Sequence, residues 1–142
     1  MSEKPDSKYS EDVRQHLSFI QGVINRMNSN SFSLKGWMVA IVSALCAIYV
    51  SNNSAPNSHL YLIAALLAVI LFCGLDAYYL QMEKKYRKLF NKVLESPSET
   101  DYNMDISGEK VSYWEALKST SVCVLYIVVA ILLGLALLLG IS

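Results

Sequence analysis

TSVCVLYIVVAILLGLALLLGI, residues 120–141, decides the fold class. The run carries no charge and is built almost wholly from Val, Leu, Ile, Ala and Gly. As an α-helix rising ~1.5 Å per residue it reaches about 33 Å, which matches the ~30 Å hydrocarbon core of a bilayer. A helix apolar on every side needs a core all round it or lipid, and 142 residues cannot supply such a core. Residues 120–141 are therefore predicted to be transmembrane helix 3.

Two further apolar blocks precede it. Residues 31–51 are predicted as transmembrane helix 1. Their core, Gly36 to Val50, is interrupted only by Ser43. It falls short of the ~20 residues a span needs, so Phe32, Leu34 and the stem of Lys35 complete it, the Lys35 ammonium snorkelling outward. Trp37 stands where an interfacial anchor belongs. Residues 52–58 form an outside turn without Lys or Arg; its Asn52-Asn53-Ser54 sequon lies in a turn too short to favour glycosylation. Residues 59–81 are predicted as transmembrane helix 2, in which His59, Asp76 and Gln81 stand out as polar.

The remaining segments are polar. Residues 1–30 read as a cytoplasmic amphipathic helix with Ser10 as N-cap and Glu11 and Asp12 at the positive end of its dipole. Val13, Leu17, Ile20, Ile24 and Met27 recur at steps of 4, 3, 4 and 3, a stripe suited to packing on its own protein or on a sister subunit. Asn28-Ser29-Asn30-Ser31 is predicted to break this helix, because short polar side chains compete for the backbone. Residues 82–119 read as a cytoplasmic extension of helix 2, an acidic linker and a short helix. Leu80, Met82, Tyr86, Leu89, Phe90 and Val93 keep helical spacing up to Ser96-Pro97. Ser112 and Glu115 have capping-box spacing for a helix running straight into residues 120–141.

Charge gives the direction. Lys4, Lys8, Arg14, Arg26 and Lys35 precede span 1. Lys84, Lys85, Arg87, Lys88, Lys92, Lys110 and Lys118 lie between spans 2 and 3. In a three-span chain all twelve basic residues then share one side, which the positive-inside rule makes cytoplasmic. The expectation is a multi-pass protein of the bacterial inner membrane, N-terminus cytoplasmic and C-terminus outside. No apolar h-region lies near the start, so no cleavable signal peptide is expected.

Several function classes find no support. The formal net charge is zero, so no overall field recruits nucleic acid. Cys46, Cys73 and Cys123 sit in apolar blocks without C-x-x-C spacing and read as small buried hydrophobes; His16 and His59 are isolated. There is no nucleophile–base pattern, no H-E-x-x-H and no Gly-rich phosphate loop. No enzyme, catalytic residue, cofactor or metal is expected.

Four features invite a role. Asp76 is an acid within a span and is expensive there. The short turn makes spans 1 and 2 antiparallel neighbours, so Lys35 is its candidate partner, or Asp76 lines a polar path in an oligomer. Lys84, Lys85, Arg87, Lys88 and Lys92 form a basic run that would gain about 1 kcal/mol each from anionic headgroups, or receive a phosphorylated ligand such as a nucleotide. The acids Glu95, Glu99, Asp101, Asp105 and Glu109 are positioned to fold back on that run. Gly36, Ala40 and Ala44 recur every four residues, as do Ala64 with Ala68 and Ala130 with Gly134; such stripes let helices approach closely and favour a homo-oligomer. Tyr78, Tyr79, Tyr86, Tyr113 and Trp114 suggest an aromatic belt at the cytoplasmic face.

The stretch HLSFIQGVINRMNSNSFSLKGW, residues 16–37, resembles the opening of a family of small, mostly uncharacterised bacterial membrane proteins. The layout also resembles the compact SLATT-like membrane effectors of bacterial anti-phage systems. That resemblance implies a cytoplasmic portion that senses a signal, from a protein or a nucleotide, and a membrane portion that forms a pore or disrupts the bilayer. The functional expectation is an oligomeric membrane effector; the alternative is a non-catalytic scaffold or accessory subunit. A small membrane enzyme or transporter comes last, since the spans show no broken helix and no mid-membrane polar cluster.

Overall fold

The computed structural model describes residues 9–52, 54–99 and 101–141. Lys4, Lys8 and Asn53 lie outside these residues. Among the described residues the chain is helical throughout, without a strand: α1 (Glu11–Ser51), α2 (His59–Glu95), a 3-10 turn (Pro97–Glu99), α3 (Tyr113–Leu117) and α4 (Thr120–Ile141). Helices α1, α2 and α4 are each long and apolar enough to cross a membrane.

α1 opens as its residues dictate. The Ser10 hydroxyl accepts from the Val13 N–H at 3.4 Å, with Glu11 and Asp12 in the first turn. The helix then continues unbroken through Asn28-Ser29-Asn30-Ser31, where the sequence predicts a break. The reason is periodic. Its buried residues include Val13, Ile20, Ile24, Ser31, Met38 and Val42, at steps of 7, 4, 7, 7 and 4. Ser31 occupies a seam position that an apolar residue would otherwise fill. α2 repeats the pattern with Leu62, Val69, Asp76 and Glu83 at steps of seven. Two long helices that keep one face in register pack as an antiparallel pair. That packing outweighs the few tenths of a kcal/mol per residue by which Asn and Ser disfavour a helix.

At 41 and 37 residues, α1 and α2 are about 60 and 55 Å long, nearly twice the hydrocarbon thickness of a bilayer. Their hairpin has two apolar clusters. Met38 and Val42 join Leu62, Ala65 and Val69, with Val122, Tyr126 and Leu133 of α4. In the other half, Val13, Ile20 and Ile24 join Leu89 and Val93, with Met104 and Ile106 of the linker laid over them. The Val13–Met27 stripe therefore faces its own chain. α2 is the shared helix, packing on α1, α3 and α4.

Between α2 and α4 two local expectations fail. α3 and α4 are separate helices, because Lys118 and Ser119 form a turn that closes through Ser119 N–H to Ala116 carbonyl at 3.1 Å. The capping box does not form. Ser112 makes no side-chain cap bond, and Glu115 reaches across to Lys84 Nζ at 3.1 Å, a cation that the local rule ignores.

The acidic linker returns to the hairpin through Met104 and Ile106. Its acids brace their own turns: Asn103 N–H donates to Asp101, Asp105 N–H to Asn103, and Ser107 N–H and Oγ both donate to Asp105 at 2.8 Å. These two bonds hold the Asp105 carboxyl below the usual aspartate range. The stabilisation is present above that range and is lost as pH falls through the lowered value. Acidification should therefore lower the protection factor of the Ser107 amide, measured against its intrinsic exchange rate at each pH, while the helices stay intact. Ile20 is fully buried, so Ile20→Ala should destabilise the Val13–Val93 cluster by about 2–4 kcal/mol, read as accelerated exchange over residues 11–27 and 86–95.

Candidate functional site

The polar atoms inside the apolar bundle converge on Asp76. This residue is completely buried on α2. Its position follows from the seven-residue seam, which turns residue 76 toward α1 one heptad beyond Val69. The same seam on α1 turns Ser31 inward, and the Ser31 hydroxyl donates to Asp76 Oδ1. Lys35 lies one turn along α1. Its Nζ sits 2.5 Å from Asp76 Oδ2 and 2.9 Å from Ser31 Oγ, while a fifth of its side chain stays exposed. One oxygen thus accepts a hydrogen bond and the other faces an ammonium, and both partners come from α1. α4 adds Tyr126, whose buried hydroxyl lies beside Asp76 without completing a hydrogen bond. Cys73, one turn away on α2, stands near both Asp76 and Cys123.

The four polar residues Asp76, Lys35, Ser31 and Tyr126 differ in how far the sequence shows them. Asp76 and Lys35 are legible as a candidate pair, and the structure brings them together. Ser31 reads as a helix breaker, and its signal lies in the seven-residue step Ile24–Ser31–Met38. Tyr126 is hidden in an apolar run, where one hydroxyl barely changes the pattern.

The arrangement is suited to fixing geometry. An isolated carboxylate in hydrocarbon costs several kcal/mol, and one paired with an ammonium and a hydroxyl costs far less. The penalty applies to any register other than the observed one. A slip of one heptad along α1 would set Asp76 against Ile24 or Met38, neither of which donates a hydrogen bond. The pair therefore specifies how α1 meets α2, at some cost in stability.

The basic run is not gathered into one patch. Lys84 pairs with Glu115; Arg87 pairs with the buried Glu83, its Nη2 at 2.7 Å; Lys88 donates to the Lys110 carbonyl at 2.8 Å. Lys85 is half-buried and Lys92 exposed. These cations brace α2 against α3, the linker and itself. The small-residue stripe is divided from the apolar one: Gly36, Ala40 and Ala44 are exposed, on the face of α1 turned from α2. Among the aromatic candidates, Tyr113 Oη donates to the Gly74 carbonyl at 3.1 Å, and Trp114 is two-thirds exposed. His16 is buried edge-to-face on Tyr102, whose φ of 57° is left-handed. His59 is half-buried at the first residue of α2. Among the described residues, no cluster of His, Cys, Asp or Glu has metal-site geometry.

Removing one partner should be worse than removing both. Lys35→Met leaves a buried carboxylate and should cost about 3–5 kcal/mol. The double variant Lys35→Met/Asp76→Leu should cost clearly less, and the measurement is denaturation in bicelles followed by helicity. A double variant as unstable as the single would remove the charge from the explanation. No family model, curated protein or solved structure matches this chain.

Proposed function

We propose that copies of this chain assemble in the bacterial inner membrane and act as a membrane effector, a regulated pore or bilayer-perturbing protein. The observation that carries the reading is the outward face of α1. Gly36, Ala40 and Ala44 are exposed there, and a Cβ added at Gly36 would meet nothing within 4 Å. Lipid tails give no hydrophobic reason to cover such a face, but small residues let a second backbone approach closely enough for dispersion contacts. Lys35 neighbours the stripe, so a helix packing on Gly36 would press beside the buried ion pair. Assembly and the state of the Lys35–Asp76 contact are thereby linked.

The twelve basic residues support an N-in, C-out orientation. The polar ends of α1 and α2, with the linker, then face the cytoplasm and are placed to receive a protein or nucleotide trigger. The resemblance of its layout to that of compact anti-phage effectors supports a role in bacterial antiviral defence.

A second reading, a non-catalytic scaffold, is favoured by one observation. At the polar end of the hairpin the exposed rings of Phe19 and Tyr102 flank an open cleft of about 410 Å³ above His16, a surface suited to a protein partner.

Inducible expression with a membrane-potential dye separates the two. An effector should depolarise cells, and Gly36→Leu/Ala40→Leu should reduce both depolarisation and crosslinked oligomer severalfold while leaving the monomer folded. Cells that stay polarised while the chain remains monomeric would reject the effector and leave the scaffold.

A further inference from the structure

A second cavity lies against α2. It is a groove of about 440 Å³ between α2 and α4, roofed by α3. Ile70 and Gly74 form one wall, Ile127 and Ala130 the other, and Trp114 and Leu117 the roof. The walls belong to two apolar spans and the roof to the short helix at their charged end, so the groove opens sideways into lipid. Its size falls within the ~300–1,000 Å³ of ordinary ligand sites.

Three observations say what fills it. First, the walls are almost wholly apolar: the Gly74 carbonyl is already satisfied by Tyr113, and the Tyr126 hydroxyl is buried beside Asp76, away from the groove's surface. Second, the groove runs along α2 from Val69 to Gly74, about a turn and a half or roughly 7 Å, a length that suits the upper methylenes of an acyl chain. Third, its roofed end is cationic. Lys118 caps α3 immediately after Leu117 and is exposed, while the one carboxylate of α3, Glu115, is paired with Lys84. A chain in the groove brings its glycerophosphate to that end.

We infer that this groove is a binding site for an anionic glycerophospholipid, its acyl chain between α2 and α4 and its phosphate at Lys118. The site locks α3 over the α2–α4 joint and is independent of any pore activity. It requires only that α2 and α4 lie in a membrane.

Trp114 is a built-in reporter, because Trp37→Phe leaves it as the single tryptophan. The full-length Trp37→Phe chain is placed in phosphatidylcholine nanodiscs containing a minor fraction of acyl-brominated phosphatidylglycerol or acyl-brominated phosphatidylcholine. Brominated phosphatidylglycerol should quench Trp114 at about fivefold lower mole fraction, the preference that one interfacial lysine supplies. Lys118→Gln should abolish the preference and keep residual quenching. Ile70→Phe, on an exposed wall, and Ala130→Phe should each fill the groove and reduce quenching by both lipids. Equal quenching by the two lipids, or quenching that neither filling variant changes, would overturn the inference. Relief of quenching by aqueous inorganic phosphate would also overturn it, since the site would then read phosphate without the chain.

Discussion

Everything in this bundle hangs on a carboxylate that has to be neutralised where water does not reach. Asp76 has no exposure, and the partners of both its oxygens come from α1: the Ser31 hydroxyl donates to one and the Lys35 ammonium is ion-paired with the other. In hydrocarbon there is no solvent to take their place. The energetic difference between this register and its neighbours is therefore larger than apolar packing would supply, because Leu, Val and Met pack nearly as well one heptad away. Apolar residues make α1 and α2 associate; the polar contact decides how.

That decision propagates to the far ends of the hairpin. Once Ser31 faces Asp76, the seven-residue repeat sets Met38 and Val42 among Leu62, Ala65 and Val69 on one side. On the other it sets Ile20 and Ile24 near Leu89 and Val93. The linker then has an apolar surface to settle on, and Met104 and Ile106 take it. α2 is the shared helix, and α3 and α4 pack on it alongside α1.

The three spans, the long extension of α2 and the Ser10 cap are legible in the sequence because each rests on a local signal: an apolar run, an unbroken period, a cap residue before acids. The continuity of α1 is not legible in that way. Asn28 to Ser31 carry a strong local preference against helix, and only the seven-residue step from Ile24 through Ser31 to Met38 shows that the seam survives it. The capping box fails for the same reason in reverse. Ser112 and Glu115 have the right spacing, but Lys84, far off in sequence, competes for the acid. Local rules lose where a distant residue offers a stronger partner. The pairing of Lys35 with Asp76 was within reach because the short turn between α1 and α2 makes their long-range geometry almost local.

α1 and α4 are held to α2 by different physics. Pulling α1 away would strand a carboxylate and an ammonium in hydrocarbon. Pulling α4 away would lose apolar contacts that lipid tails replace nearly in full, since tails are as apolar as Leu. The polar link from α4 to the cluster is Tyr126, whose hydroxyl lies beside Asp76 with its hydrogen bond unmade. α4 also follows a turn at Lys118–Ser119 that separates it from α3. The α1–α2 hairpin is accordingly fixed by a polar contact as well as by its apolar seam, while α4 is held to both of its helices by apolar contacts.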